Sequence, residues 1–407
     1  MNTLKKLTKA GVFRGMAQLS KPAAAPKTFN YMRQLGALAI LVLALQIISG
    51  VFLSMFYKPS AVATFGGYTM AFDSIERIMR EVNFGWLLRY LHIVGASALF
   101  IMVYVHLARC LYHGAYKGPR KFLWMIGVVL MLLMHSTAFF GYLLPWGQMS
   151  YWAATVIINI FEAIPTLGPM MGQFLRGGFF ISDPTVSRFF SLHYAFPMII
   201  ALMVGVHIRG LKIEYTVRHS LGLALIVLVY AYFVFFNPTA WGLFMEAENF
   251  SPANNLATPM NITPPWYLTP WYGILRAFPD KLTGVAAMVL SLLVLFFVPW
   301  LDRSKAMTSA NRPLHRLIVL AFCASVVVLG YCGHSPMSEP LKWLGRIATG
   351  AYFAFFMLLP FSHRLDRHRL ARLRKLLRRL WTGLLKLWPL LGKLPKALVK
   401  SPPKRAQ

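Results

Sequence analysis

The stretch 92-HIVGASALFIMVYVH-106 carries a histidine at each end and no charged residue between them. At the α-helical rise and rotation, the step from His92 to His106 climbs about 21 Å and stops roughly 40° short of four full turns. Both imidazoles therefore share one helix face, near opposite sides of a bilayer's hydrocarbon. The pattern recurs in 193-HYAFPMIIALMVGVH-207, where His193 and His207 are again 14 residues apart. Two glycine pairs repeat the same interval, Gly36 with Gly50 and Gly127 with Gly141.

The surroundings are those of a polytopic membrane protein. Of 407 residues, 57% are hydrophobic and only 13% charged, far from the balance of a soluble domain. Uncharged stretches mark spans at 34–57, 90–108, 122–161, 189–208, 220–245, 282–301, 317–338 and 347–363. The third is too long for one helix, and Leu144-Pro145-Trp146-Gly147 breaks it. Eight transmembrane helices are expected, in an all-α fold.

The net charge of +30 could suggest a nucleic-acid partner, but its distribution argues for a bilayer. With a cytoplasmic N-terminus, the cytoplasmic segments carry +29 and the opposite side +1. This positive-inside asymmetry places both termini in the cytoplasm. Met1 to Arg33 is basic and has no continuous apolar core, so no cleavable signal is expected. The outer connections 58–85, 144–188 and 246–281 are long and rich in Pro, Gly and aromatics, as expected of loops folded over a membrane site. In the tail, Leu373, Leu376, Leu377, Leu380, Trp381, Leu384, Leu387 and Trp388 fall near one helical face and Arg and Lys on the other, a pattern that lies on an anionic leaflet.

The second and fourth spans run from outside to inside, which sets His92 level with His193 and His106 level with His207. A lone histidine in a span is usually a hydrogen-bonded core residue, and His135 is expected to be one. Two matched pairs point instead to metal. Zinc wants a fourfold cluster, whereas two separated two-histidine sites suit iron in a porphyrin, ligated axially from both faces. Gly36, Gly50, Gly127 and Gly141 would supply room for the macrocycles. Arg89, Arg109 and Arg188, each within five residues of a histidine, are candidate partners for anionic propionates. Cys110, Cys323 and Cys332 form no CxxC, so neither covalent haem attachment nor a cysteine metal site is signalled.

With these residues the chain resembles cytochrome b, the dihaem membrane subunit of quinol:cytochrome c oxidoreductase (respiratory complex III). The resemblance covers about 31–361 and rests on the four histidines and four glycines, on "GYLLPWGQMSYW" (141–152), "SRFFSLH" (187–193), "FSPANNLATP" (250–259), "PWYLTPWYGILRAFPDKLTGV" (265–285) and "FFVPWLDRSK" (296–305). It implies four regions: a basic cytoplasmic segment 1–33, a four-helix bundle around two b-type haems at 34–213, a second half at 214–363 and the basic tail 364–407. It implies quinol oxidation at an outer site, one electron passing to an iron-sulfur partner and the other through a low-potential outer and a high-potential inner haem to quinone at an inner site. Partners would be a Rieske iron-sulfur subunit, a cytochrome c-type subunit and membrane quinone, in a homodimeric complex of the bacterial inner membrane, with no nucleic acid.

By the same resemblance, 142–154, 262–267 and Tyr272 would frame the outer site, with Tyr142 and Tyr267 in its wall, and Trp124 and Arg109 would hold the inner haem's propionates. The photosynthetic plastoquinol relative fits less well, since its polypeptide is split after the fourth span and its second histidine pair is one residue wider. A proton-relaying transporter would need acidic partners inside the spans, and none of the eight has a usable one. The chain departs from its family at both quinone sites. Lys212, five residues after His207, stands where the family usually has a histidine, "YTVRHSLG" carries His219 and lacks the usual aspartate, so the two could serve with roles exchanged, and at "TPPWYLTP" Pro265 stands where a glutamate is usual. Glu162 is a candidate substitute proton acceptor; the alternative is that it is a solvated loop charge and that water or Tyr142 mediates the transfer.

Overall fold

The computed structural model describes residues 35–208, 217–306 and 312–391. The regular elements of the described residues are all helices; these residues form no strand, only two isolated bridges. In chain order the helices are α1 (Leu35–Ser54), α2 (Met70–Arg80), α3 (Gly85–His113), α4 (Lys121–Leu143), α5 (Gln148–Glu162), α6 (Leu167–Arg176), α7 (Asp183–His207), α8 (Val217–Phe236), α9 (Thr269–Arg276), α10 (Lys281–Leu301), α11 (Pro313–His334) and α12 (Glu339–Leu391).

Seven of these are long and apolar enough to cross a membrane: α1, α3, α4, α7, α10, α11 and the first part of α12. The expected fifth span falls on α8, whose described apolar part, Leu223–Phe236, is shorter than the others. It also ends nine residues before the expected boundary at Met245. Asn237-Pro238 follows, and proline both lacks an N–H and disfavours helix in the residue before it. The break at 144–147 falls where expected. Trp146 takes a positive φ of 54°, and the chain restarts as α5 with the Ser150 hydroxyl accepting from Gly147 N at 3.1 Å.

The outer connections are more ordered than loops. They contain α2, the α5–α6 hairpin and α9. Helix α2 starts at Thr69, whose hydroxyl accepts from Phe72 N, and buries Ala71, Phe72, Ile75 and Ile78 on one face. Helix α12 runs without interruption through the last span into the basic tail. The expected apolar stripe from Leu373 to Trp388 belongs to side chains outside the described set, as do Lys212, the N-terminal segment 1–34 and the boundary at 213.

Within the first half, α1 packs along α3 and α4 along α7, and the two pairs face one another. The second half is bonded to the first at several depths. Tyr230 donates to Leu91 O at 2.6 Å, Trp266 Nε1 to Ser97 Oγ at 3.1 Å and Trp124 Nε1 to Leu295 O at 2.8 Å. His135 is buried in this seam as a core residue, its Nδ1 2.7 Å from Met131 O and its Nε2 2.7 Å from the Tyr104 hydroxyl.

At the far end of α10, Asp302 is the centre of a buried ionic cluster. It accepts from Arg312 at 2.8 and 3.1 Å and from the Tyr116 hydroxyl at 2.7 Å, and Lys117 Nζ lies 2.8 Å away. Arg312 also donates to Ser362 and lies 3.6 Å from Asp366. The cluster ties the end of α3 to α10, α11 and α12.

Candidate functional site

Helices α3 and α7 lie parallel and in register, which brings His92 to His193 and His106 to His207. The ring centroids are 6.0 Å apart in the first pair and 6.5 Å in the second, with the planes crossed by 78° and 72°. Two imidazoles bound axially to one metal by bonds of about 2.0–2.1 Å would have centroids roughly 6–6.5 Å apart. Both pairs fit that spacing.

The outer pair is also set in the correct tautomer. His193 Nδ1 lies 2.8 Å from Thr137 O; a carbonyl only accepts, so Nδ1 carries the proton and Nε2 keeps its lone pair. His92 Nδ1 is 3.0 Å from Ser49 Oγ, whose own hydrogen goes to Leu45 O at 2.7 Å. The hydroxyl must therefore accept, and His92 is left with the same free Nε2. Such outer contacts orient metal-ligating histidines. In the inner pair, Cys110 Sγ lies 3.8 Å from His106 Nε2, one turn along α3.

Each of the four glycines faces one of the four imidazoles. A Cβ on Gly36 would lie 3.7 Å from His106 Cε1, on Gly50 3.1 Å from His92 Cε1, and on Gly127 3.3 Å from His207 Cε1. At Gly141 it would overlap His193 Cε1 outright. The glycines thus seat the rings as well as leaving space between helices. No group of three or more His, Cys, Asp or Glu is placed to hold a metal among the described residues. Gly141→Ala is expected to displace His193 and to cost about 1–3 kcal/mol of packing, with loss of the outer-pair haem signal. Gly205→Ala in α7, where a Cβ meets nothing within 4 Å, should leave both signals. Equal spectra for the two variants would refute the seating role.

The expected cations divide. Arg89 is buried at the outer cavity, donating to Met245 Sδ at 3.8 Å and lying over the Phe250 ring. Arg109 lies one turn beyond His106. Arg188 is engaged elsewhere: it donates to Gln173 O and Phe174 O at the end of α6, where the helix dipole concentrates negative charge. Trp124 has its N–H on Leu295 O and its ring against Tyr116, inside the core.

A cavity of ≈ 250 Å³ opens beside the outer pair, its wall including His92, His193, Tyr142, Tyr267, Arg89 and Asn249. Tyr267 stacks on Phe100 with centroids 4.0 Å apart. Tyr272 does not reach this wall; its hydroxyl points to Ile262 O at 3.4 Å and its ring lies against Arg276. Glu162 is also elsewhere, ion-paired with Arg176 across the α5–α6 hairpin, which closes on itself. The carboxylate next to the cavity is Glu246, set behind the lining residues Tyr142 and Asn249. It is 7% exposed and accepts from the Tyr142 hydroxyl at 2.7 Å and from Asn249 Nδ2 at 3.0 Å. Burial pushes its carboxyl up to about 7, against the smaller lowering effect of its Tyr142 and Asn249 hydrogen bonds. The segment after Glu246 is strapped across the start of α5. Gln148 N donates to Ser251 O at 3.0 Å, Ala253 N to Trp146 O at 3.0 Å and Ser150 N to Asn249 Oδ1 at 2.7 Å.

Comparison with known proteins agrees with this geometry. Residues 20–215 match the family model "Cytochrome b/b6/petB" and residues 252–353 match "Cytochrome b(C-terminal)/b6/petD". The chain belongs to the cytochrome b family. It is 45% identical over 356 residues to the cytochrome b of Rickettsia prowazekii (strain Madrid E), covering 82% of this chain and 87% of that one. To the cytochrome b of Rhodospirillum rubrum it is 44% identical over 357 residues, covering 82% and 86%. Its structure is similar to a chain of a hyperthermophilic respiratory complex III, with a TM-score of 0.75, 32% identity and coverage of 88% of this chain and 96% of that one.

As a cytochrome b, the chain is a multi-pass membrane protein that binds haem and takes part in electron transport. The structure unites "GYLLPWGQMSYW" with "FSPANNLATP" through the strap at Gly147 and Pro252. Glu246 and Asn249 escaped the sequence reading because Met245 looked like the end of a span. The available signal was the pair of acids in 246-EAEN-249 just before "FSPANN".

Proposed function

We propose that this chain is the cytochrome b subunit of a proton-translocating quinol:cytochrome c oxidoreductase. The observation that carries the reading is the two crossed imidazole couples, four helical turns apart along α3 and α7, with each ring facing a glycine. His92 and His193 would hold an outer b-type haem, and His106 and His207 an inner one. When bound, the two haems supply reversible one-electron redox changes on both sides of the bilayer, so that one of quinol's two electrons can cross. The other electron needs a second acceptor, and a Rieske iron-sulfur subunit next to a cytochrome c-type subunit supplies it.

The protein's own groups bind, orient and deprotonate. Arg89, near His92 and buried at the cavity, is placed to neutralise a propionate, with Arg109 in the same role near His106. Tyr142 and Tyr267 wall the cavity in which quinol would lie, one presenting a hydroxyl and the other a stacked ring. On sequence alone, Lys212 and His219 are assigned to the inner quinone site, where a reduced ring needs hydrogen-bond and proton donors. The charge asymmetry supports an inner-membrane location with cytoplasmic termini, and the family reading supports a homodimeric complex.

The test is spectroscopic and kinetic. The purified complex should show a Soret band and split reduced α-bands, and quinol should reduce both haems. Lys212→Met or His219→Leu should slow reoxidation of the inner haem by quinone. Protein in the membrane with no haem spectrum would refute the reading; unaltered reoxidation in both variants would refute the inner-site assignment alone.

A further inference from the structure

Oxidation of a quinol releases two protons as well as two electrons, so the outer cavity needs groups that accept protons. Candidates near it can be compared directly. Position 265 is proline and offers no acid. Glu162 is held by Arg176 away from the cavity wall. We propose that Glu246, acting through the Tyr142 hydroxyl, is the carboxylate that takes up one of quinol's protons in this chain and passes it to the outer surface. This inference rests on the quinol-oxidising function proposed above.

The hydrogen bonds give the direction of transfer. Tyr142 lines the cavity and directs its hydrogen to Glu246 Oε2 at 2.7 Å, while Asn249 Nδ2 donates to the Tyr142 oxygen at 2.9 Å and to the same Glu246 oxygen at 3.0 Å. The phenol oxygen keeps capacity to accept on its cavity side. As a quinol O–H bond breaks, its proton moves to Tyr142 Oη and the phenol's own proton moves to Glu246 Oε2. Glu246 becomes a neutral carboxylic acid, and Tyr142 ends as it began. The second proton leaves with the electron that goes to the iron-sulfur partner, and the remaining electron leaves through the outer redox centre, which balances the oxidation to quinone.

Asn249 makes the arrangement rigid. Its Oδ1 is fixed by Ser150 N and its Nδ2 bridges the phenol and the carboxylate, so the relay is held by the strap that joins the two halves. Exit is short. Glu248 is two residues on in the same turn, exposed, and close enough for its charge to raise Glu246 further. A carboxyl at about 7 can both take a proton from the site and return it to a neutral aqueous phase. The titratable groups facing Glu246 are Tyr142 on α4, Glu248 in its own turn and Tyr267 across the cavity; Arg89 approaches the preceding residue, Met245.

The sign of the pH dependence follows. Below about pH 7 Glu246 already carries a proton and cannot accept; above it the carboxylate is free. Quinol oxidation by the assembled complex should rise with pH through that value and then level. Glu246→Gln should lower turnover by at least about tenfold, abolish this limb and leave both reduced haem spectra unchanged. Glu246→Asp should recover part of the rate and shift the limb. Independently of turnover, infrared difference spectra of the wild-type complex should show a carboxylic C=O band titrating near pH 7 that the Gln variant lacks. A Gln variant with wild-type turnover and an intact limb would overturn the inference. Should that variant fail to assemble, an Asp variant with an unshifted limb would overturn it. A wild-type complex that binds haem but oxidises no quinol would refute the proposed function itself.

Discussion

His92→Ala should leave the protein with one haem signal in place of two and reduce quinol-driven electron transfer by at least about 100-fold. Losing a contact that merely orients a metal-ligating histidine already costs about 10–100-fold, and here the ligand itself is removed. The remaining partner, His193, keeps its Nδ1 bond to Thr137 O and is left with a free Nε2 facing no second imidazole. His193→Ala should do the same damage, and the double variant no more than either single, because both residues act as one unit. The inner signal should persist, since His106 and His207 lie about four helical turns away against a different glycine pair, Gly36 and Gly127. Haem stoichiometry and reduced-minus-oxidised spectra decide the matter. Loss of both signals from any single variant that still inserts in the membrane would show that the two pairs are not independent.

The second large effect lies far from the histidines. Asp302→Asn would leave Lys117 charged and buried without its counter-ion, and Arg312 with only the more distant Asp366. Breaking a buried ionic network by removing one member typically costs about 3–5 kcal/mol. Burial by itself would raise the Asp302 carboxyl, but Arg312, Lys117 and the Tyr116 hydroxyl outweigh it and hold it down at about 2. A carboxyl held below its ordinary range stabilises the fold fully above about pH 4 and loses that contribution as pH falls towards 2. The variant should therefore melt at a lower temperature than wild type at neutral pH, with the difference narrowing only in strong acid. Coincident melting curves at neutral pH would show that the cluster adds no stability.

The parts of the site legible in the sequence were those that helix geometry alone converts into position. A 14-residue interval sets both the depth and the face of a histidine, and the same interval in α1 and α4 brings Gly36, Gly50, Gly127 and Gly141 to the rings. What depends on the path of an outer connection was not legible. Glu246 meets Tyr142 across 104 residues of chain, by way of a strap whose course no periodicity encodes. Glu162 stood close to the expected site in sequence, yet the α5–α6 hairpin gives it Arg176 instead. Arg188 and Trp124 satisfy nearer carbonyls, on α6 and α10 respectively. The early end of α8 was visible in Asn237-Pro238, but the apolar residues that follow masked it.

The contacts between glycine and imidazole also bear on how such a site can drift. At Gly141 and His193 the fit depends on an atom that is absent on one side and on a ring nitrogen that must be present on the other. A larger residue at 141 cannot be offset by a smaller one at 193 without replacing the imidazole nitrogen that would bind the metal. Gly50 and Gly127 are tight against their rings to a lesser degree, whereas a methyl at Gly36 would sit at ordinary contact distance. Where the fit is as close as at Gly141, no compensating exchange is open, so methods that infer proximity from correlated substitutions would be blind to that contact, and it would leave no covariance in the protein's descendants.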